Sequence, residues 1–131
     1  MTAANLKSAA ARSKSDVIRM CLAAYKSKDR PVVEELLTDN FRFTSPYDDE
    51  IDRATYFERC WPNSGQFRDV TVERIVEQGD GAYTTYKVLT NDGREFRNTE
   101  FMTFDGGRIN HVDVYFGPSY KDGVFVKEKT G

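Results

Sequence analysis

Residues 67–116 read FRDVTVERIVEQGDGAYTTYKVLTNDGREFRNTEFMTFDGGRINHVDVYF, and this stretch decides the fold. Its apolar residues recur with a period of two, which is strand patterning. Three joints interrupt it: Gly79-Asp80-Gly81, Asn91-Asp92-Gly93 and Asp105-Gly106-Gly107. Each carries the glycine and Asx residues that tight hairpins need, because both tolerate left-handed backbone. Phe67 to Glu77, Ala82 to Thr90, Arg94 to Phe104 and Arg108 to Phe116 are therefore four strands of an antiparallel meander.

Upstream, the period changes. Val17, Ile18, Cys21, Leu22 and Tyr25 form one apolar stripe on a helix from Ser15 to Lys28, with Ser13 or Ser15 as its cap. A short second helix has Asp29 near its cap, Pro31 in its first turn, and Val32, Val33, Leu36 and Leu37 turned inward. Thr38-Asp39-Asn40 breaks it. Phe41 to Ser45 alternates as a strand that Pro46 ends, and Tyr47, Asp48 and Asp49 read as a solvated acidic loop at a rim. Asp52 caps a third helix carrying Tyr56, Phe57, Cys60 and Trp61, stopped by Pro62. The order is that of an α+β domain: a strongly curved, cone-shaped antiparallel sheet wrapped by three N-terminal helices. A cone closed at one end leaves a pocket at the other. The expected organisation is a lead-in at 1–14, one domain at 15–120 and a tail at 121–131.

Bulk properties bound the function. The chain has 131 residues, 19 basic and 21 acidic, for a net charge of −2, with no long run of one sign. That excludes the basic footprint of a nucleic-acid binder. Apolar runs fall far short of the ~18 residues of a spanning helix, so no membrane partner is expected. Met1 to Ser15 lacks the apolar core of an export signal, and Cys21 and Cys60 form no CxxC pair, so a cytoplasmic protein with reduced thiols is expected. Nine Phe, seven Tyr and one Trp can line a cavity as well as fill a core.

Several stretches carry a resemblance. They are Ala23 to Asp29, Leu36 to Phe41 before Ser45-Pro46, Tyr56 to Pro62, and Gly107 to Gly117. In this order and spacing the chain resembles the nuclear transport factor 2-like superfamily, in particular its SnoaL-like and ketosteroid-isomerase-like members. The resemblance implies the cone fold, a ligand pocket and pairing of the outer sheet face into a homodimer. It does not imply a reaction, since isomerases, cyclases, dehydratases, epoxide hydrolases and binders share this fold. Ketosteroid isomerisation itself is rejected. The position of the family's base is Ser45, which cannot take a proton near neutrality, and that of its helix tyrosine is Cys21. An epoxide-hydrolase cluster also fails, because Asp113 lies on the strand face opposite to Val112, Val114 and Phe116.

Glu100 remains the candidate acid or base. Phe96, Asn98, Glu100, Met102 and Phe104 share a strand face, and a carboxyl among apolar side chains keeps its proton to higher pH. Tyr25 is the candidate hydrogen-bond donor and Asn98 an orienting group. Phe41, Phe43, Ser45, Trp61, Asn98, Met102, Val112, Val114 and Phe116 are the expected pocket lining. His111, the lone histidine, falls on the outer face, and with no ligand spacing around it neither a metal nor a cofactor is expected. Cys21 and Cys60 read as small buried apolar residues. Two functions stay open: cofactor-free acid–base chemistry on a small apolar, oxygen-bearing molecule, and a non-catalytic ligand-binding or dimerisation module.

Overall fold

The computed structural model describes residues 12–127. Residues 1–11 of the expected lead-in and 128–131 of the expected tail lie outside the described residues.

Helix α1, Lys14–Ser27, is opened by Ser13, whose hydroxyl accepts from the Asp16 backbone while Asp16 returns a bond to the Ser13 N–H. That reciprocal cap satisfies two donors the first turn otherwise leaves orphaned. The helix buries Val17, Ile18, Cys21, Leu22 and Ala24 and ends where Lys28 turns left-handed (φ 61°). Helix α2, Arg30–Leu36, begins at Asp29 without a side-chain cap and with Pro31 in its first turn. Helix α3, Arg53–Arg59, is capped by the Asp52 carboxylate, which accepts from the Thr55 N–H at 2.9 Å. The third helical stretch then tightens into a 3-10 turn at Trp61–Gln66.

Seven strands form one sheet: β1 Leu37–Ser45, β2 Asp48–Asp52, β3 Phe67–Gln78, β4 Gly81–Thr90, β5 Arg94–Asp105, β6 Arg108–Lys121 and β7 Val124–Val126. Their spatial order is β2-β1-β6-β5-β4-β3, with β7 added to the far end of β6. All pairs are antiparallel except β1 with β6, so the sheet is mixed rather than wholly antiparallel. The sheet is strongly curled but does not close.

Three sequence expectations change. Thr38-Asp39-Asn40 does not break the chain into a loop but belongs to β1. The acidic stretch after Pro46 is not a loop but the start of β2, reached by the two-residue turn Pro46-Tyr47, where a proline removes a donor that had no partner to lose. The last strand passes Phe116 by five residues, and part of the expected tail is β7. The core lies on the inner face, where Ala82, Tyr86, Val88, Met102 and Val112 meet α1, α2 and the aromatic group Phe41, Tyr56, Phe57 and Trp61.

Candidate functional site

The pairings across β4, β5, β6 and β1 define rows on the inner face, since directly opposed residues point the same way. One row is Ala82, Met102, Val112 and Phe43; the next is Thr84, Glu100 and Val114; the third is Tyr86, Asn98 and Phe116. Glu100 therefore stands in the middle of the concave face. The inward assignment of Val112 and Val114 holds because a bulge near Thr103 and Phe104 shifts the β5–β6 register by one residue.

Glu100 accepts a short hydrogen bond from the Tyr86 phenol at Oε2. The Tyr86 oxygen accepts in turn from Asn98 Nδ2 at 3.3 Å. No basic side chain pairs with Glu100 among the described residues. The nearest arginines in sequence are engaged elsewhere, Arg97 with Glu73 at 2.8 Å and Arg94 with Asp92 at 3.1 Å. Burial raises the Glu100 carboxyl from 4.5 to about 7, against the opposing pull of the Tyr86 hydrogen bond. The same burial, with the Glu100 charge beside it, holds the Tyr86 phenol well above its usual range. This geometry can hold or move one proton at Glu100 Oε2 and donate or accept it near neutral pH.

Tyr25 has its phenol buried beside this pair. Burial and the neighbouring Cys21 and Glu100 raise its phenol well above the ordinary range, so it sits in the same electrostatic environment. Its ring packs edge-on to Trp61 at 4.9 Å and lies 6.1 Å from Phe67, and the donor that reaches Glu100 is Tyr86. Tyr86 was missed in the sequence although its signal is there. Pairing β4 with β5 symmetrically about Asp92 sets Tyr86 opposite Asn98, one diagonal step from Glu100.

The other expected lining residues separate into interior and rim. Phe41, Trp61, Asn98, Met102, Val112 and Val114 are buried. Phe43 is half-buried against Tyr56, with ring centroids 5.0 Å apart. Phe116 shares the inner face by register but is 47% exposed, its ring 5.7 Å from Tyr47. Ser45 donates to Asp48 Oδ2 at 3.1 Å, and Asp48 is not a solvated loop residue: its side chain is 8% exposed and pairs with Arg59 at 2.7 Å. The Cys60 thiol lies 3.8 Å from the same carboxylate. Burial first, then Glu100, pushes Cys21 to about 12, and burial first, then Asp48, does the same to Cys60. Both thiols are thereby kept in the protonated form at neutral pH, the less nucleophilic one.

Two surface clefts open elsewhere. One, of about 270 Å³, lies between Lys14 and the β5–β6 turn at Gly106, and the other lies beside Asn40 and Arg53; neither includes Glu100.

A bent, open sheet wrapped by three helices is the fold of the nuclear transport factor 2-like class. Within it, the chain belongs to the SnoaL-like domain family, whose model matches residues 17–112. A search of curated proteins finds no match. Among solved structures it is similar to a putative ketosteroid isomerase from Kribbella flavida DSM 17836, with TM-score 0.67 and 17% identity over 88% of this chain and 81% of that one. It is also similar to an M. tuberculosis epoxide hydrolase of the LEH-like type, with TM-score 0.62 and 20% identity over 76% and 79%. A de novo designed protein with a curved β-sheet aligns as well, at TM-score 0.70 and 13% identity over 79% and 84%. A designed scaffold aligning as well as these proteins makes the point directly: these likenesses describe the fold.

Proposed function

We propose that this SnoaL-like protein carries out cofactor-free acid–base chemistry on a small apolar molecule bearing a carbonyl or ether oxygen, with Glu100 as the proton donor or acceptor. The single observation behind this reading is a carboxyl on the inner face with a phenol donor, no cation paired with it among the described residues, and a pKa raised by burial to about 7. Tyr86 and Asn98 orient the carboxyl. Phe41, Trp61, Met102, Val112 and Val114 would supply the site's apolar walls, and a ligand would enter beside the exposed pair Tyr47 and Phe116.

The molecule is further proposed to be a homodimer through its outer face, where the Tyr83 and Phe101 rings pack at a tilt, 4.6 Å between centroids, near an exposed Tyr115. A cytoplasmic location fits its two free thiols. No helix among the described residues is long and apolar enough to cross a membrane.

The test is solvent-deuterium exchange at the carbon next to the carbonyl in a panel of apolar ketones and enones. Exchange by the wild type that disappears in Glu100→Gln, with affinity kept within about tenfold (~1.4 kcal/mol), supports the reading. One observation favours a non-catalytic binder: Glu100 is the only carboxyl on the rows described, and such chemistry usually employs a pair. Binding of the panel without exchange assigns the protein to that second class.

A further inference from the structure

The outer face of the sheet gathers a second group of polar side chains. His111 and Asp113 stand two apart on β6 and so point the same way, opposite to Val112 and Val114. Glu50 reaches them from β2, across β1. Its carboxylate Oε2 lies 2.5 Å from His111 Nε2, and Asp113 Oδ1 lies 3.8 Å from the other ring nitrogen. One donor atom from each of the three falls within 4.8 Å of the others.

Glu50 is held in place for this. Its backbone is left-handed (φ 51°), a conformation costly for a residue with a side chain. Thr44 on β1 steadies it, its hydroxyl oxygen accepting from the Glu50 N–H at 3.0 Å and lying 3.3 Å from Oε2. The surrounding charge also favours a cation. Arg42 is the β1 neighbour of His111, but Asp52 is paired opposite Arg42, so three carboxylates face one guanidinium.

We propose that Glu50, His111 and Asp113 bind one divalent transition-metal cation of the zinc type per chain, with water completing the coordination. One imidazole and two carboxylates are a donor set that zinc accepts, and three protein ligands leave a position open. A cation ~2.1 Å from each donor sets the donors roughly 3.4 Å apart in a tetrahedron. Glu50 and Asp113 now approach different ring nitrogens, so binding requires the His111 ring or the Asp113 side chain to rotate until both carboxylates meet one nitrogen. The sequence hides this grouping because Glu50 and His111 are 61 residues apart. The site is independent of Glu100, which lies on the opposite face.

Isothermal titration of the whole protein with zinc chloride at neutral pH tests it. The expected result is one zinc per chain, weakened at least tenfold by His111→Ala, Glu50→Gln or Asp113→Asn, and tightened by Arg42→Gln. Glu50 and Arg42 are exposed and His111 and Asp113 partly so, with Asp113 beside Phe101 of the proposed dimer face. Thermal melts verify that the variants fold, and light scattering that their oligomeric state is unchanged. His111 is the only histidine, so the ¹⁵N shifts of its ring report zinc ligation in the unaltered protein. No zinc uptake, undisturbed ring shifts, affinity indifferent to His111→Ala, or one zinc per two chains would each overturn the proposal.

Discussion

An ordinary glutamate is ionised at neutral pH, whereas burial moves Glu100 from 4.5 to about 7. Between those values the folded chain holds a proton that the unfolded chain has lost. Stability contributed by this group therefore falls as pH rises across that window, by on the order of 3 kcal/mol for a shift of this size. Glu100→Gln should remove that slope from a plot of urea-unfolding free energy against pH. An unchanged slope would place its origin in another group. Tyr86→Phe should act in the other direction on the carboxyl itself. Without the phenol donor the charged form loses its one hydrogen bond, so an NMR titration should find Glu100 above about 7. Glu100 was legible in the sequence because strand parity is a strong constraint, and parity set it among Phe96, Met102 and Phe104. Tyr86 was not, because the position of the family's helix tyrosine is Cys21 and the phenol nearest to it on the α1 stripe is Tyr25, whereas only the β4–β5 pairing sets Tyr86 beside Glu100. Asp48 was not either, since an acidic residue after a proline reads as solvated until Arg59, 11 positions on, is known to cover it.

At the scale of elements, hydrophobic period and turn chemistry located α1 and the first three meander strands to within a residue, and the start but not the end of the fourth. What they missed lies where one strand serves several partners. Strand β6 continues through Gly117 and Pro118, residues that ordinarily end a strand. It survives because the register slips between Phe96 and Asn98, leaving the extra residues in a bulge. Gly117 is required there, since a β-carbon would lie 2.2 Å from the Arg97 carbonyl oxygen. Gly117→Ala should cost about 2–3 kcal/mol, the range of overpacking in a closed structure. Gly65, with nothing near a prospective β-carbon, is the control, and Gly65→Ala should stay within about 0.5 kcal/mol in the same urea titration. Equal effects at the two sites would show that the bulge yields freely.

At the scale of the whole molecule, the outer sheet face presents Tyr83, 43% exposed, and Tyr115, 61% exposed, with Phe101 between strands. A dimer that covers them should bury roughly 1,200–2,000 Å² in total. Tyr83→Lys combined with Phe101→Glu should then shift light scattering from a dimer to a single chain of 15.0 kDa. A wild type already at that mass at micromolar concentration rules the pairing out. The curved α+β architecture was readable from sequence, but its one parallel pairing was not, because no local turn specifies it. That pairing sets Arg42, Phe43 and Thr44 against His111, Val112 and Asp113. Its consequence is temporal. During synthesis the first strand emerges with only β2 to hold it, and its main partner follows more than sixty residues later. Strand β1 must wait, one edge unpaired, until β6 leaves the ribosome, while β3, β4 and β5 can already zip together by short hairpins and receive α1, which packs chiefly on β3. Assembly should therefore run from the meander back toward the start of the chain, with the seating of β1 as its last and slowest event.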